Sequence, residues 1–324
     1  MTSPVMRDPA LLAWTAKLHD FSRDLPDLRS SDPARRRAAE HILSDLIAVE
    51  VTADASEPVA TIELEIPTAA GPLFARRYRP LGAGPLPTQL FLHGGGFVAG
   101  SAREIVNDRV LRSRAAASGV QFISLEYRLA PEHPYPAAVE DAIAAIDWLR
   151  TSPVDLDIDA SRLGVGGISA GGGVIASALV RRRAEGRWMP VHQLLEVPAV
   201  SLTAVGASAV DYATGFGLEG LENLRDLYVG PVPADPFASP LDLDDLSGMP
   251  RTLIMTAEFD PLRDAAEAYA TRLREAGCDV SAARGSGHMH GSLALTATFA
   301  AALTWQQAVV DELHRHLVTF SESN

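Results

Sequence analysis

The chain has 324 residues, 47% of them hydrophobic, enough to bury a sizeable core in one large catalytic domain or two smaller ones. Its 28 basic residues face 41 acidic ones, and this formal charge of −13 disfavours a nucleic-acid partner, because too little positive charge is available to displace the counterions around phosphate. A single cysteine, Cys278, excludes an intramolecular disulfide and cysteine-rich zinc sites, and with neither a leader-like N-terminus nor an apolar run of about 18 residues the sequence predicts a cytoplasmic protein that does not enter a membrane.

Two helices are predicted first, Pro9 to Leu25 and Pro33 to Glu50. Each opens with Asp-Pro, an N-cap acceptor followed by a proline whose missing N–H matters least at the first helical position. Thr61 to Ile66 alternates polar and apolar, as a strand with one wet face does. From Gln89 the pattern changes to short apolar runs, Gln89 to Leu92, Val120 to Leu125, Leu163 to Val165, Leu194 to Leu195 and Leu253 to Met255, which suit strands covered on both faces. Helical stretches separate most of them. Between Asp260 and Gly277, Leu262, Ala266, Tyr269, Leu273 and Ala276 share one face, and Gly277 is placed to stop the helix. The alternation predicts an α/β fold with a mostly parallel sheet and helices on both faces.

Ser201 to Leu246 breaks the rhythm with glycine, proline and acidic residues, with one short helical stretch expected at Leu221 to Tyr228. It is assigned, with residues 1–50, to a cap over the C-terminal ends of the strands, where open α/β sheets bind ligands; residues 51–324 form the catalytic domain. Arg35 to Arg37 and Arg181 to Arg183 are the only basic runs, and both are expected on solvated helix faces.

Gly167-Ile168-Ser169-Ala170-Gly171 fits G-x-S-x-G between an apolar strand and an Ala- and Val-rich helix. A serine on so sharp a turn needs small neighbours, and the turn aims the first helical amides at the place where an oxyanion would form. His93-Gly94-Gly95-Gly96 follows another strand and lets backbone amides approach a ligand. Gly94 to Ala99 also fits the dinucleotide pattern G-x-G-x-x-A, but that fingerprint needs a helix beginning within the glycines, and Phe97 to Ser101 intervenes.

A nucleophilic serine needs a base, and the base a carboxylate, in the chain order Ser, Asp or Glu, His. Asp260, just beyond the strand at Leu253 to Met255, is favoured over Glu258 and Asp264. For the base, His288 and His290 stand two residues apart after the strand Val280 to Arg284, and spacing alone does not choose between them. No further histidine or carboxylate has the spacing to complete a metal site with them.

Over Gln89 to Gly291 the sequence resembles the hormone-sensitive-lipase-like branch of the α/β hydrolases, which includes bacterial carboxylesterases. The resemblance rests on His93 to Gly96, Tyr127 to Glu132 with Pro134 to Ala137, the Ser169 motif, Asp235-Pro236 with Ala238 to Leu241, Asp260 to Asp264 and His290-Gly291, in that order. It implies the α/β-hydrolase fold, Ser169 as nucleophile, Asp260 and His290 as its partners, the amides of Gly94, Gly95 and Ala170 as oxyanion hole, and an N-terminal helical cap. Two departures stand out: Ile168 replaces the Asp or Thr common before the serine, and Ser292 replaces the usual Phe two residues after the histidine, which is expected to make one pocket wall more open or more polar. Tyr127 to Pro136 is read as structural, its prolines locking a loop. The expected activity is hydrolysis of short- to medium-chain or small aryl and alkyl esters without a cofactor. Amide, lactone or carbamate cleavage uses the same residues, and a non-catalytic receptor on this fold, as in plant hormone perception, typically lacks the histidine. The expected partner is a small-molecule ester; a homodimer is left open.

Overall fold

The computed structural model describes residues 8–214, 226–230 and 235–319. The two Asp-Pro pairs cap as expected. Asp8 accepts from the Ala10 amide at the start of α1 (Pro9–Arg23), and Asp32 from Ala34 and Arg35 at the start of α2 (Pro33–Val51).

Eight strands, β1 (Ala60–Ile66), β2 (Leu73–Arg79), β3 (Leu86–Leu92), β4 (Gln121–Leu125), β5 (Ile158–Ile168), β6 (His192–Glu196), β7 (Arg251–Phe259) and β8 (Val280–Met289), form one sheet in the order β1-β2-β4-β3-β5-β6-β7-β8. β2 runs antiparallel to β1 and β4, and every other pair is parallel. The continuous apolar runs have a direct physical reason. Phe91, Phe122, Leu194 and Leu253 point to one face, where they meet α3 (Ile105–Ser118) and α7 (Ala300–Leu313) through Leu111, Trp305 and Val309. Their neighbours Leu92, Ile123, Leu195 and Ile254 point to the other, against α4 (Ala137–Arg150), α5 (Ala170–Ala184) and α6 (Arg263–Glu275).

Three features depart from the sequence reading. β2 was not anticipated, because Leu73 to Arg79 carries three arginines; its neighbours supply their partners, Glu63 for Arg76 at 2.9 Å and the Gln121 side chain for the buried Arg77 at 2.6 Å. β8 continues five residues beyond Arg284, so His288 lies on the strand. Arg182 does not belong to a solvated face: it is fully buried, donating to Asp147 at 2.8 Å and to the Trp188 carbonyl at 2.7 Å. Arg36 is exposed and Arg181 half-buried, paired with Glu40 and Glu185 one turn on. The stretch 221–225 of the helix expected at Leu221 to Tyr228 lies outside the described residues; 226–229 are helical. Among the described residues no helix is long and apolar enough to cross a membrane.

The N-terminal helices dock on the body through polar groups as well as apolar ones. Asp45 of α2 accepts from the Ile105 amide at 2.8 Å, and Arg109 of α3 donates to the carbonyls of Ala48, Val49 and Thr52 at the end of α2. Glu104 is buried in this joint. Burial pushes its carboxyl up to about 8; the Ser44 hydroxyl opposes this, and Asp45, Glu126 and Glu40 add to it. With a folded value above the ordinary 4.5, the folded state holds the proton longer than the unfolded one. The charging penalty is therefore absent below about 4.5, grows across the interval and is complete above about 8. Glu104→Gln is expected to match the parent's stability near pH 5 and exceed it at pH 9, by at most about 5 kcal/mol at about 1.36 kcal/mol per unit. Urea unfolding at both pH values measures this, and a gap that fails to widen towards pH 9 refutes it.

Candidate active site

β5 ends at Ile168 and α5 begins at Ala170, so Ser169 alone makes the turn between them, at φ 54° and ψ −118°. A non-glycine residue at positive φ is strained, and what surrounds it must hold it there. Two backbone bonds do so: the Ser169 N–H donates to the Glu196 carbonyl at 2.8 Å, and the Ser169 carbonyl accepts from the Ala199 N–H at 3.0 Å. The flanking glycines answer a packing demand. A Cβ on Gly171 would stand 2.3 Å from the carbonyl oxygens of Leu92 and His93, and one on Gly167 would stand 2.5 Å from the Gly171 carbonyl carbon.

The three side chains expected to act together are brought together. His290 follows β8 directly; its Nε2 is 3.0 Å from Ser169 Oγ and its Nδ1 is 2.8 Å from Asp260 Oδ2. Asp260, just past β7 and fully buried, accepts from the Leu262 amide through its other oxygen at 2.8 Å. The rejected candidates have different partners. Glu258 accepts from the Gly287 amide at 2.8 Å and from Ser286, bracing the end of β8, while Asp264 accepts from the Ser208 amide and the Arg263 side chain. His288 is engaged elsewhere, its ring against Phe299 and Trp305 and its Nδ1 2.8 Å from Ser292 Oγ. Among the described residues no cluster of histidine, cysteine and carboxylates could hold a metal ion.

The glycine loop lies beside the serine. A Cβ on Gly94 would be 3.5 Å from Ser169 Cβ, and Gly95, at φ 126°, is pressed so close to Ala99 that a Cβ there would meet the Ala99 oxygen at 2.0 Å. Val98 and Ala99 fold back onto the Gly95 carbonyl, and α3 starts only at Ile105, so the helix that the dinucleotide pattern needs is not there. The amides of Gly94 and Gly95 donate to no group among the described residues, and that of Ala170 opens α5, where a helical amide has no acceptor within its own helix. His93 anchors the loop. Its ring stacks on Tyr127 at 4.3 Å, the Tyr127 hydroxyl donates to its carbonyl at 2.8 Å, and burial holds its imidazole below the ordinary histidine range against the pull of Glu126. Tyr127 to Pro136 thus supports the loop from below, and Arg128 is clasped by Asp141.

Trp14 of α1 lies over the turn after His290, 3.6 Å from where a Gly291 Cβ would be, and α1 and α2 pack on Met289, Leu295 and Phe299 through Leu11, Ile47 and Val51. Phe97 stacks on Tyr228 at 3.8 Å. Ser292 does not form a pocket wall as expected: it is fully buried, and its hydroxyl bonds His288 and accepts from the Met289 amide. The sequence reading also missed the buried side chain of Glu196, which takes two hydrogen bonds from Arg114 and one from Trp305. One signal for it was available, a lone acid in the apolar run Leu194-Leu195-Glu196-Val197.

Residues 89–294 match a family model described as an alpha/beta hydrolase fold. The chain is 39% identical over 271 residues to the carboxylic ester hydrolase LipN of Mycobacterium tuberculosis, covering 80% of this chain and 71% of that protein. To the ethyl acetate hydrolase of Pseudomonas putida it is 35% identical over 298 residues, 89% of this chain and 91% of that one. Among solved structures, an ester hydrolase from the Lake Arreo metagenome, complexed with a bipyridine phosphonate derivative, superposes with a TM-score of 0.86 at 35% identity, covering 98% of this chain and 100% of that one. The Pyrobaculum calidifontis esterase superposes with a TM-score of 0.81 at 33% identity, covering 95% and 98%.

Proposed function

Because this chain belongs to the alpha/beta hydrolase fold family, in its hormone-sensitive-lipase-like branch, and is a serine carboxylester hydrolase, we propose that Ser169, His290 and Asp260 carry its chemistry, with the amides of Gly94, Gly95 and Ala170 holding the oxyanion. The observation that supports this assignment is the unbroken chain from Ser169 Oγ through both nitrogens of His290 to Asp260 Oδ2, at 3.0 and 2.8 Å. With Asp260 accepting from Nδ1–H, the lone pair of His290 is at Nε2, facing the serine. Ser169 Oγ attacks the ester carbonyl as Nε2 takes its proton, and the carbonyl oxygen becomes an anion among the three amides. Collapse breaks the bond to the alkoxy group, which leaves as the alcohol with the proton from His290. Water then attacks the acyl-enzyme by the same route and releases the acid.

The substrate class follows from the roof. The N-terminal helices act as the cap, and a roofed pocket has finite length; of the segment 201–246 also assigned to it from the sequence, 215–225 and 231–234 lie outside the described residues, and 241–246 pack instead at the far ends of α5 and α6, where Arg183 donates to Asp245 and Arg272 to the Leu241 and Leu243 carbonyls. Each buried methylene of an acyl chain contributes about 0.8 kcal/mol until the chain meets the wall, so kcat/KM is expected to rise over the first carbons, peak at or below about eight, and then fall. Trp14→Ala opens the roof over His290 and is expected to move the peak to longer chains. A series of p-nitrophenyl esters measures both effects; a parent enzyme fastest on the longest chains, or a peak unmoved in the folded variant, sinks the cap assignment. Amides, lactones and carbamates meet the same groups, and a panel of all four substrate classes ranks them. The formal charge of −13 and the single cysteine support a cytoplasmic enzyme acting on a small-molecule ester, without nucleic acid. A homodimer is compatible with this reading.

A further inference from the structure

Glu196 is the last residue of β6 and is fully buried, and its backbone carbonyl is the acceptor for the Ser169 N–H at 2.8 Å. Its carboxylate receives Arg114 Nη1 and Nη2 at 2.7 Å each and Trp305 Nε1 at 2.7 Å. The next residue, Val197, is β-branched yet sits at φ 41°, with its N–H donating to the Met255 carbonyl at 2.7 Å. Such a residue keeps that conformation only when its surroundings over-determine it. Two residues further on, the Ala199 N–H donates to the Ser169 carbonyl. The strained segment 196–199 thus grips both backbone polar groups of Ser169, and the ion pair fixes the segment where it leaves the sheet.

The same carboxylate is tied to the turn that carries His290. The Trp305 ring packs on His288, and His288 bonds Ser292, whose hydroxyl accepts from the Met289 amide. A Cβ on Gly285 would meet the Trp305 ring at 2.7 Å, so the tryptophan is pressed flush against β8. By a second route Arg114 Nε donates to Gln306 Oε1 at 2.7 Å, and Gln306 donates to the Leu293 carbonyl at 2.8 Å.

We propose that Arg114, Glu196 and Trp305 are positioning residues for ester cleavage: a buried clamp that sets the backbone of Ser169 and the turn bearing His290 at one fixed separation. Apolar residues of similar volume commonly replace a buried ion pair without loss of stability, so stability alone does not call for one here. A displacement of about 1 Å between reacting groups costs about 100-fold in rate. The clamp therefore acts on the chemical step and leaves substrate affinity alone.

The inference rests on Ser169 being the nucleophile, which is tested separately: an organophosphonate must label Ser169 in the parent enzyme, and labelling elsewhere overturns that reading and the clamp with it, whereas parental rates in the variants below overturn the clamp alone. The clamp is tested with the double variant Arg114→Met/Glu196→Leu, which removes both charges at similar volume, and with Trp305→Phe, which keeps an aromatic ring but removes the N–H that reaches Glu196 together with one ring of the indole. Circular dichroism and thermal unfolding establish folding; kcat, KM and the rate of phosphonate labelling are then measured. In the double variant, kcat and the labelling rate are expected to fall together, by about 10- to 100-fold, with KM within about threefold of the parent. Trp305→Phe is expected to lower both rates about three- to tenfold. A folded double variant with parental kcat and labelling rate overturns the proposal. Should the double variant not fold, Trp305→Phe decides: parental rates there overturn it equally, and a fall in both rates at constant KM sustains it.

Discussion

Replacing Ser169 by alanine is expected to lower kcat by about 10³-fold or more while leaving the fold intact. The substitution removes one oxygen, already bonded to His290 at 3.0 Å, and nothing that holds the turn. What keeps residue 169 at its positive φ is backbone: the Glu196 carbonyl, the Ala199 amide and the glycines on either side. An alanine there inherits the same bonds. The glycine loop and Asp260 are untouched, so the residual rate measures binding and oxyanion stabilisation without a covalent route. Thermal unfolding should stay close to the parent's, and the mass increment from a phosphonate should vanish. Turnover within tenfold of the parent in a folded Ser169→Ala protein would falsify the acyl-enzyme mechanism.

The two histidines should separate cleanly into one chemical and one structural phenotype. His290→Ala is expected to cost about as much in kcat as the serine variant, because a nucleophile and its base act as a unit. His288→Ala leaves the base in place but deletes a ring wedged between Phe299 and Trp305 and the partner of Ser292. Its expected effect is mainly on stability, about 2–4 kcal/mol for the cavity and the lost hydrogen bond, with a loss in kcat of at most about tenfold from the looser turn. Finding the large kcat loss in His288→Ala and the small one in His290→Ala would exchange their roles.

What the sequence made legible, it did through period and order. Runs such as Leu90 to Leu92 read as strands because neighbouring residues enter different cores, and Ser169, Asp260 and the histidine pair could be picked out because each follows a strand in the order the chemistry requires. The choice of His290 over His288 needed a family resemblance, since a two-residue spacing puts both on the same side of an extended chain. Gly285 and Gly287 were misleading. They suggested a loop, yet β8 runs through them, and Gly285 is there because Trp305 leaves no room for a Cβ. Not legible were the pairings of polar groups whose partners come from far along the chain: Arg77 with Gln121, Arg182 with Asp147, and Glu196 with Arg114. A charge in an apolar stretch announces that a partner exists, but its identity depends on the tertiary fold.

The glycine floor of the site also decides how such a chain can diversify. At Gly95, Gly167 and Gly171 an added methyl group would meet backbone atoms at 2.0 to 2.5 Å, and backbone, unlike a side chain, cannot swing aside. Drift at these positions is closed off, whatever substrate selection favours. Trp14, by contrast, comes from a separate helix, reaches the site with the edge of its ring, and is half-buried. New substrate ranges must therefore enter this scaffold from above. A library randomised at the roof should yield folded clones with altered preferences, whereas one randomised at the floor should return the parental glycines.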